Sequence, residues 1–352
     1  MFLVDKSWGS GGSLLKAICY NPPVMLKNKK VRGVLQVLIS LTLLFLLINR
    51  VGFQEVLAIF ANINVAWYLL AFAIFLLNIV IRSYRWTILL HSLNDRPPFS
   101  RLLYLYFLGF FANNFIPTGF GGDVVKVVSL RQKYGRGTEA LSSVIMDRLT
   151  GLLGTSVIAL VALTWNSLNQ TTAINLPLGL WLAIFTISFG IPVGFLLIRS
   201  TDLVGTVTGW FPAIGRLPLY DRFARLVDTV HRYPFPTLIK ALLISLPFTI
   251  NMVLIQYSVS RALSVDVPPI LFPLFVPLIA LINLLPISFN GLGVREGVYL
   301  FLFVPAGVAP EEAIAMSLAY YLLRFGAGII GGLLYALSSV SRLMRSPHAE
   351  NL

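Results

Sequence analysis

Apolar runs close to the length of a membrane-crossing helix recur along nearly the whole chain. A helix needs about 20 predominantly apolar residues to cross the hydrocarbon core of a bilayer. With 57% of its 352 residues hydrophobic and 12% charged, the chain has no room for a sizeable soluble domain. The sequence therefore predicts an all-α polytopic membrane protein.

The distribution of positive charge predicts the orientation. A formal net charge of +13 is compatible with nucleic-acid binding, but the cations cluster in a few loops between apolar runs, which is the positive-inside pattern. We therefore expect no nucleic-acid partner, and a multi-pass protein of the cell membrane with both termini in the cytoplasm. Residues 1–30 are the predicted cytoplasmic N-terminal segment and 342–352 the cytoplasmic tail.

Six runs are predicted to cross the membrane fully, within a transmembrane domain at 31–341. They lie at about 31–49, 65–90, 141–165, 178–198, 237–263 and 313–340. Between two of them, the segment 199–236 is amphipathic and basic. It is predicted to lie on anionic headgroups at the cytoplasmic surface, with a solvated loop helix as the alternative.

Two further apolar runs are too short to cross. The run 102–116 has about 15 residues and 297–304 has eight. Each adjoins a helix-breaking stretch, so each is predicted to be a re-entrant broken helix that enters and leaves on one side. The first would enter from the cytoplasm and the second from outside.

The two breaks share one sequence skeleton, in which the second copy follows the first by 169 residues. The first copy is Asn114, Pro117, Phe120, Gly122 and Lys126, and the second is Asn283, Pro286, Phe289, Gly291 and Arg295. Gly121 and Gly293 adjoin the two copies and are also predicted to belong to the breaks. Such a duplication is typical of transporter scaffolds with inverted repeats. It predicts inverted halves at about 31–165 and 178–341.

Charged residues near these breaks are the candidate site. Lys126 and Arg295 each lie in the first turn or so after a break, where a helix N-terminus also attracts anions. We predict that both cations bind a headgroup phosphate and that Asp123 and Glu296 orient them. In the alternative interpretation, the two carboxylates cap their half-helices and pair with the adjacent cations.

Charge inside the spans adds to this site. Arg148, beside Asp147, and Arg324 fall within predicted spans, where a central charge costs about 2.5–3.5 kcal/mol on insertion scales. Both arginines are predicted to engage a headgroup, with an internal ion pair as the alternative. Arg82 and Arg85, near the end of a span, are expected to be ordinary cytoplasmic anchors.

The sequence does not support a dinucleotide-binding motif or a metal site. Four glycines at 326–332 resemble a dinucleotide fingerprint, but no strand precedes them, so we expect them to let helices approach closely. One cysteine and three well-separated histidines predict no metal site and no cofactor.

Three motifs resemble the lysylphosphatidylglycerol synthase transmembrane, or flippase-like, family. They are Asn113-Asn-Phe-Ile-Pro117-x-x-Phe-Gly-Gly-Asp123, Asp147-Arg148 followed by Gly151, and Leu285-Pro-x-Ser-x-x-Gly-Leu-Gly-Val-Arg295-Glu296. The resemblance implies a membrane protein that moves an anionic or modified lipid between leaflets. Fused members carry a soluble aminoacyl-transferase domain, and we expect that activity to be absent here.

The sequence therefore predicts a lipid flippase for an anionic, aminoacylated or glycosylated lipid, and not an enzyme. Two alternatives stay open. A lipid-modifying or glycosyl-transferring enzyme would need Asp123, Asp147 or Glu296 as its catalytic carboxylate. An accessory subunit would instead recruit a lipid-synthesising enzyme partner through its basic face.

Overall fold

The computed structural model describes most of the chain, and its described residues form helices joined by short turns without any strand. They are residues 38, 42, 45–47, 51–94, 96–115, 121–135, 137–168, 177–200, 227–282 and 291–345. The predicted first span at 31–49 lies almost wholly outside these ranges, as do the N-terminal segment and residues 346–352 of the tail.

The main helices are numbered here in chain order. They are α1 (Phe53–Ala61), α2 (Val65–His91), α3 (Phe99–Phe115), α4 (Gly121–Tyr134), α5 (Gly137–Leu168), α6 (Leu178–Ser200), α7 (Phe235–Ala262), α8 (Leu271–Ile282), α9 (Val294–Phe303) and α10 (Pro310–Arg345). Within the described ranges, five of them (α2, α5, α6, α7 and α10) are long and apolar enough to cross a membrane. These are the predicted spans other than the first, with ends shifted by a few residues. The all-α polytopic fold is confirmed.

The remaining helices of the core are shorter. Helix α3 has 17 residues, about 26 Å of helix, and α4, α8 and α9 have 14, 12 and 10 residues. Helix α3 ends at Phe115 and α4 begins at Gly121, so the first predicted break is bounded on both sides. Helix α8 ends at Ile282 and α9 begins at Val294.

Several residues of the predicted breaks lie outside the described ranges, namely Pro117, Phe120, Asn283, Pro286 and Phe289. Among the described ones, Gly291 and Gly293 have φ of +84° and +80°. Because glycine lacks a Cβ, it adopts this left-handed region without strain. That these elements are re-entrant stays a prediction.

Helix packing relates the two predicted halves. Helix α2 packs on α7, α3 on α10, and α8 on α5. Suppose that α2, α3 and α5 of the first half correspond to α7, α8 and α10 of the second. Exchange of the two halves then leaves the α2–α7 contact in place and interchanges the α3–α10 and α8–α5 contacts. An isologous two-fold arrangement has this property. The inverted orientation of the halves stays a prediction.

The glycines of α10 lie against α3. A Cβ on Gly331 would collide with the carbonyl oxygen of Phe107, and one on Gly332 would approach the Phe111 ring to 2.6 Å. Gly328 lies against the Asn114 side chain in the same way. The expectation that these glycines permit close helix approach is confirmed.

The predicted amphipathic segment is described only from residue 227. There Val227 and Val230 are buried, and Val230 packs in a small apolar cluster with Leu89 of α2 and Met146 of α5. The exposed Asp228–Arg232 ion pair lies on the outside. This part of the segment thus turns its apolar face to the protein and not to lipid headgroups.

Candidate functional site

A cavity of about 200 Å³ lies among α2, α3, α4, α5, α7, α8 and α10. Its charged lining residues are Arg82, Arg85, Asp123, Lys126, Asp147, Arg148 and Arg324. Asp147 is ten residues from the start of α5, about 15 Å along the helix axis. The cavity is therefore deep within helices that are long enough to cross a bilayer.

Asp147 is the centre of a buried network. Its carboxylate accepts hydrogen bonds from Arg85 Nε at 2.8 Å, from Tyr106 Oη at 2.6 Å and from Arg82 Nε at 3.4 Å. The donors come from α2 and α3 and the acceptor from α5. Because a charge in the interior needs both a counter-charge and hydrogen bonds, the network fixes these three helices relative to one another.

The expectation that Arg82 and Arg85 are cytoplasmic surface anchors was wrong. The side chain of Arg85 is 1% exposed and that of Arg82 is 28% exposed. Arg85 also donates from Nη1 to Ser245 Oγ of α7 at 2.8 Å, and its guanidinium lies 4.8 Å from the centroid of the Phe248 ring. Both arginines point inward because Asp147, 62 residues from Arg85, supplies the counter-charge.

A second pair of contacts forms around Asp123 of α4. Arg148 forms an ion pair with Asp123, and Lys126 Nζ lies 3.4 Å from Asp123 Oδ1. Asp147 and Arg148, adjacent in α5, thus bind different partners. The alternative interpretation, in which Asp123 pairs with the cations near it, agrees with this geometry.

Lys126 lies in an aromatic environment. Its ammonium nitrogen is 3.4 Å from the centroid of the Tyr106 ring and 5.2 Å from that of the Trp86 ring. Such contacts are favourable cation–π interactions, and they strengthen when water is excluded. Lys126 is 4% exposed, so these two rings and Asp123 are occupied by the protein's own ammonium group.

The cavity carries an excess of positive charge. Among the lining side chains that the structure describes, five are cations and two are carboxylates, which leaves three positive charges in excess. Arg324 stands on the α10 wall, one helical turn from Tyr320, which also lines the cavity. A net positive charge is costly to bury, so the lining as a whole favours an anion.

Arg295 and Glu296 form a separate buried cluster. Arg295 Nη2 donates to Glu296 Oε1 at 2.9 Å, and Ser317 Oγ of α10 lies 2.9 Å from both Arg295 Nε and Glu296 Oε1. The Arg295 guanidinium lies 5.1 Å from the centroid of the Tyr321 ring. Neither Arg295 nor Glu296 lines the cavity. The structure thus brings together Asp123, Lys126, Arg148 and Arg324 and leaves the other two candidates apart.

At each half-helix start, one backbone amide donates to a side chain. The Gly122 amide donates to Asn113 Oδ1 at 2.7 Å, and the Gly293 amide donates to Glu296 Oε2 at 2.6 Å. Glu296 therefore caps α9, as in the alternative interpretation of the sequence. The amides of Gly122 and Gly293 are therefore engaged within the protein.

Sequence reasoning missed Arg82, Arg85, Tyr106 and Asn113 as members of the site. One signal was available for the arginines. An acidic residue inside a span requires a cationic partner, and Asp147 was such a residue. In the part of the chain that the structure describes, no group of three His, Cys, Asp or Glu side chains is arranged to hold a metal ion.

The fold and the charged cavity define an all-α, multi-pass membrane protein with a cation-rich interior site. The chain belongs to the family described as the lysylphosphatidylglycerol synthase TM region, whose model matches residues 33–332.

Two relatives from archaea match along most of their length. A UPF0104 membrane protein of Methanothermobacter thermautotrophicus is 25% identical over 324 residues, which is 86% of this chain and 92% of the relative. A UPF0104 membrane protein of Pyrococcus horikoshii is 22% identical over 334 residues, or 85% and 95% of the two chains. These names describe membrane proteins without an assigned activity.

Proposed function

We propose that the protein is a lipid translocase that moves a lipid with an anionic headgroup between the leaflets of the cell membrane. The observation that carries the proposal is the excess of three positive charges in the cavity. Intramembrane charge that faces a cavity is typical of a substrate pathway, and anionic lipid headgroups are anions that the surrounding bilayer itself supplies.

The arrangement of the cations supports binding and release. Arg82 and Arg148 line the cavity with side chains that are 28% and 21% exposed, whereas Arg85 is buried behind them. The two partly exposed guanidiniums are suited to bidentate contacts with phosphate oxygens. Arg85 acts as a positioning residue, because it holds Asp147, which in turn contacts Arg82.

The carboxylates favour translocation over catalysis. Asp147 is held by Arg82 and Arg85, Asp123 by Arg148 and Lys126, and Glu296 by Arg295. A carboxylate engaged by cations is a poor general base, since its lone pairs are occupied and its charge is stabilised. We therefore propose a non-enzymatic role for the site.

The charge at the bundle ends supports an orientation with cytoplasmic termini. Cations lie at the end where α2 terminates and α5 begins, among them Arg96 between α2 and α3, and Arg131 and Lys133 in the last turn of α4. At the opposite end Glu311 and Glu312 begin α10. By the positive-inside rule the first end is cytoplasmic.

Leaflet exchange in reconstituted vesicles tests the proposal. Phosphatidylglycerol with a fluorophore on its acyl chain is incorporated, and quenching by an impermeant reductant reports the fraction in the outer leaflet. We expect the wild-type protein to expose the inner pool, and Arg148→Gln and Arg324→Gln each to slow exchange by about tenfold or more, which is the effect of about 1.4 kcal/mol on a barrier.

Arg261→Gln is the matched control, because Arg261 is an exposed arginine at the end of α7, away from the cavity. It should exchange lipid at the wild-type rate. Size-exclusion profiles show whether the variants fold. Equal exchange by folded Arg148→Gln, Arg324→Gln and wild-type proteins would contradict the assignment of the cavity.

A further inference from the structure

We infer that the cavity selects a lipid headgroup with two or more negative charges, a phosphomonoester or a diphosphate, and excludes aminoacylated headgroups. This inference rests on the proposed function, because it assumes that the ligand of the cavity is the transported lipid. Three observations carry it: the size of the charge excess, the position of the Lys126 ammonium, and the engagement of both carboxylates in the cavity.

The charge excess exceeds what one phosphodiester neutralises. In the described part of the lining, two carboxylates stand against five cations, which gives a net charge of +3. A phosphodiester such as phosphatidylglycerol supplies a single negative charge and leaves most of the excess in place. A phosphomonoester carries about −1.5 to −2 at neutral pH and a diphosphate carries more, so both match the lining better.

The ammonium subsite is already filled. An aminoacylated headgroup needs aromatic faces or a carboxylate for its ammonium group. In this cavity the Tyr106 ring has Lys126 Nζ at 3.4 Å and Trp86 has it at 5.2 Å. Asp123 is bound to that same ammonium group and to Arg148.

The remaining carboxylate is also closed to a cationic ligand. Asp147 is 3% exposed and accepts hydrogen bonds from Arg82, Arg85 and Tyr106. A second ammonium group would enter a cavity that already has a positive excess. Like-charge repulsion of this kind is a strong source of discrimination between ligands.

Competitive lipid binding tests the inference on the full-length protein. Purified protein in detergent is mixed with equal amounts of phosphatidic acid, phosphatidylglycerol and lysylphosphatidylglycerol, and the bound lipids are counted by native mass spectrometry. We expect phosphatidic acid to bind about tenfold or more tightly than phosphatidylglycerol, since an added charge acts in a site of low dielectric, and lysylphosphatidylglycerol to bind most weakly. Equal binding of the three lipids, or a preference for the lysyl lipid, would overturn the inference.

Two variants test the charge excess and the Lys126 ammonium subsite separately. Arg324→Gln lowers the excess from three charges to two, so the preference for phosphatidic acid over phosphatidylglycerol should fall to about threefold or less, while Arg261→Gln keeps it. Lys126→Ala vacates the aromatic subsite and should raise the share of bound lysylphosphatidylglycerol. If folded variants show the wild-type ranking, neither the charge excess nor Lys126 sets the specificity and the inference is wrong.

Two further experiments distinguish a free phosphate ligand from a lipid, and the lipid specificity from the translocase function. Inorganic diphosphate that displaces phosphatidic acid at equal concentration would identify a free phosphate as the ligand and overturn the lipid assignment. Leaflet exchange of the same three lipids separates the two proposals. Exchange that favours the lysyl lipid contradicts the inference alone, whereas selective binding of phosphatidic acid without exchange of any lipid contradicts the translocase function alone.

Discussion

At the scale of single residues, the interior is organised by carboxylates that each hold several cations. Asp147 joins Arg82 and Arg85, and Asp123 joins Lys126 and Arg148. A buried ion pair adds little net stability compared with apolar residues of the same shape, but removal of one partner leaves an uncompensated charge. The two acidic residues are therefore more sensitive to substitution than their contribution to folding would indicate.

Asp147→Asn should destabilise the protein strongly. The change leaves Arg85, which is 1% exposed, without its counter-charge, and the free energy of unfolding should fall by about 3–5 kcal/mol. Thermal unfolding in detergent measures the effect.

Asp228→Asn is the control, because the Asp228–Arg232 pair is exposed and exposed pairs contribute about 0–1 kcal/mol. The combined variant Asp147→Leu with Arg85→Leu should recover much of the loss, since it removes both charges. A melting temperature for Asp147→Asn equal to that of Asp228→Asn would contradict the buried network.

The sequence predicted the cavity only in part. Asp123, Lys126, Arg148 and Arg324 were found because charge in an apolar run is conspicuous, and these residues line one cavity. Arg85 was assigned to the surface, since its position near the end of a span fits an anchor equally well. Its contact with Asp147 crosses 62 residues, and the pairing depends on helix packing that one sequence does not specify.

At the scale of helices, the contact between α3 and α10 depends on glycine. Gly328, Gly331 and Gly332 let α10 approach the backbone and aromatic rings of α3, and α10 carries Arg324 to the cavity. A close helix approach at these glycines was expected from the spacing of small residues, but the partner helix was not predicted. The duplicated skeleton also placed the ends of the interrupted helices to within a few residues, because Pro and Gly act locally.

Gly331→Ala should destabilise the protein and reduce transport. The new methyl group would meet the Phe107 carbonyl oxygen, and overpacking of this kind costs about 1–3 kcal/mol. Gly194→Ala is the matched control, because nothing lies within 4 Å of its added Cβ, and alanine should be neutral or favourable by up to about 1 kcal/mol. Equal unfolding temperatures for the two variants would show that α10 does not approach α3 as described.

At the scale of the whole molecule, charge differs between the two ends of the bundle. Arg96, which lies between α2 and α3, and Arg131 and Lys133, in the last turn of α4, are at one end, and Arg261 is at the other with Asp266, Glu311 and Glu312. The amide of Asn64, which precedes α2, donates to the carbonyl of Ala262 at the end of α7 at 2.7 Å. This hydrogen bond fixes which helix ends lie together.

Cysteine labelling tests the predicted topology. In a Cys19→Ser background, which removes the one native cysteine, Arg96→Cys and Lys133→Cys should react with an impermeant maleimide from the same face of the membrane. Arg261→Cys should react from the opposite face. If Lys133→Cys instead labels together with Arg261→Cys, α3 and α4 cross the membrane in series and the re-entrant prediction is wrong.

The presence of an anionic headgroup in the cavity is tested most directly by site-specific photocrosslinking in native membranes. A diazirine side chain at Leu152, which lines the cavity, is compared with one at Leu182, which is 56% exposed on the bundle surface. Mass spectrometry then identifies the captured lipids. We predict that the adducts at Leu152 are enriched in anionic lipids above their share of the membrane, and that Arg148→Gln with Arg324→Gln abolishes the enrichment. The same lipid composition at Leu152 and Leu182 would contradict a headgroup site in the cavity.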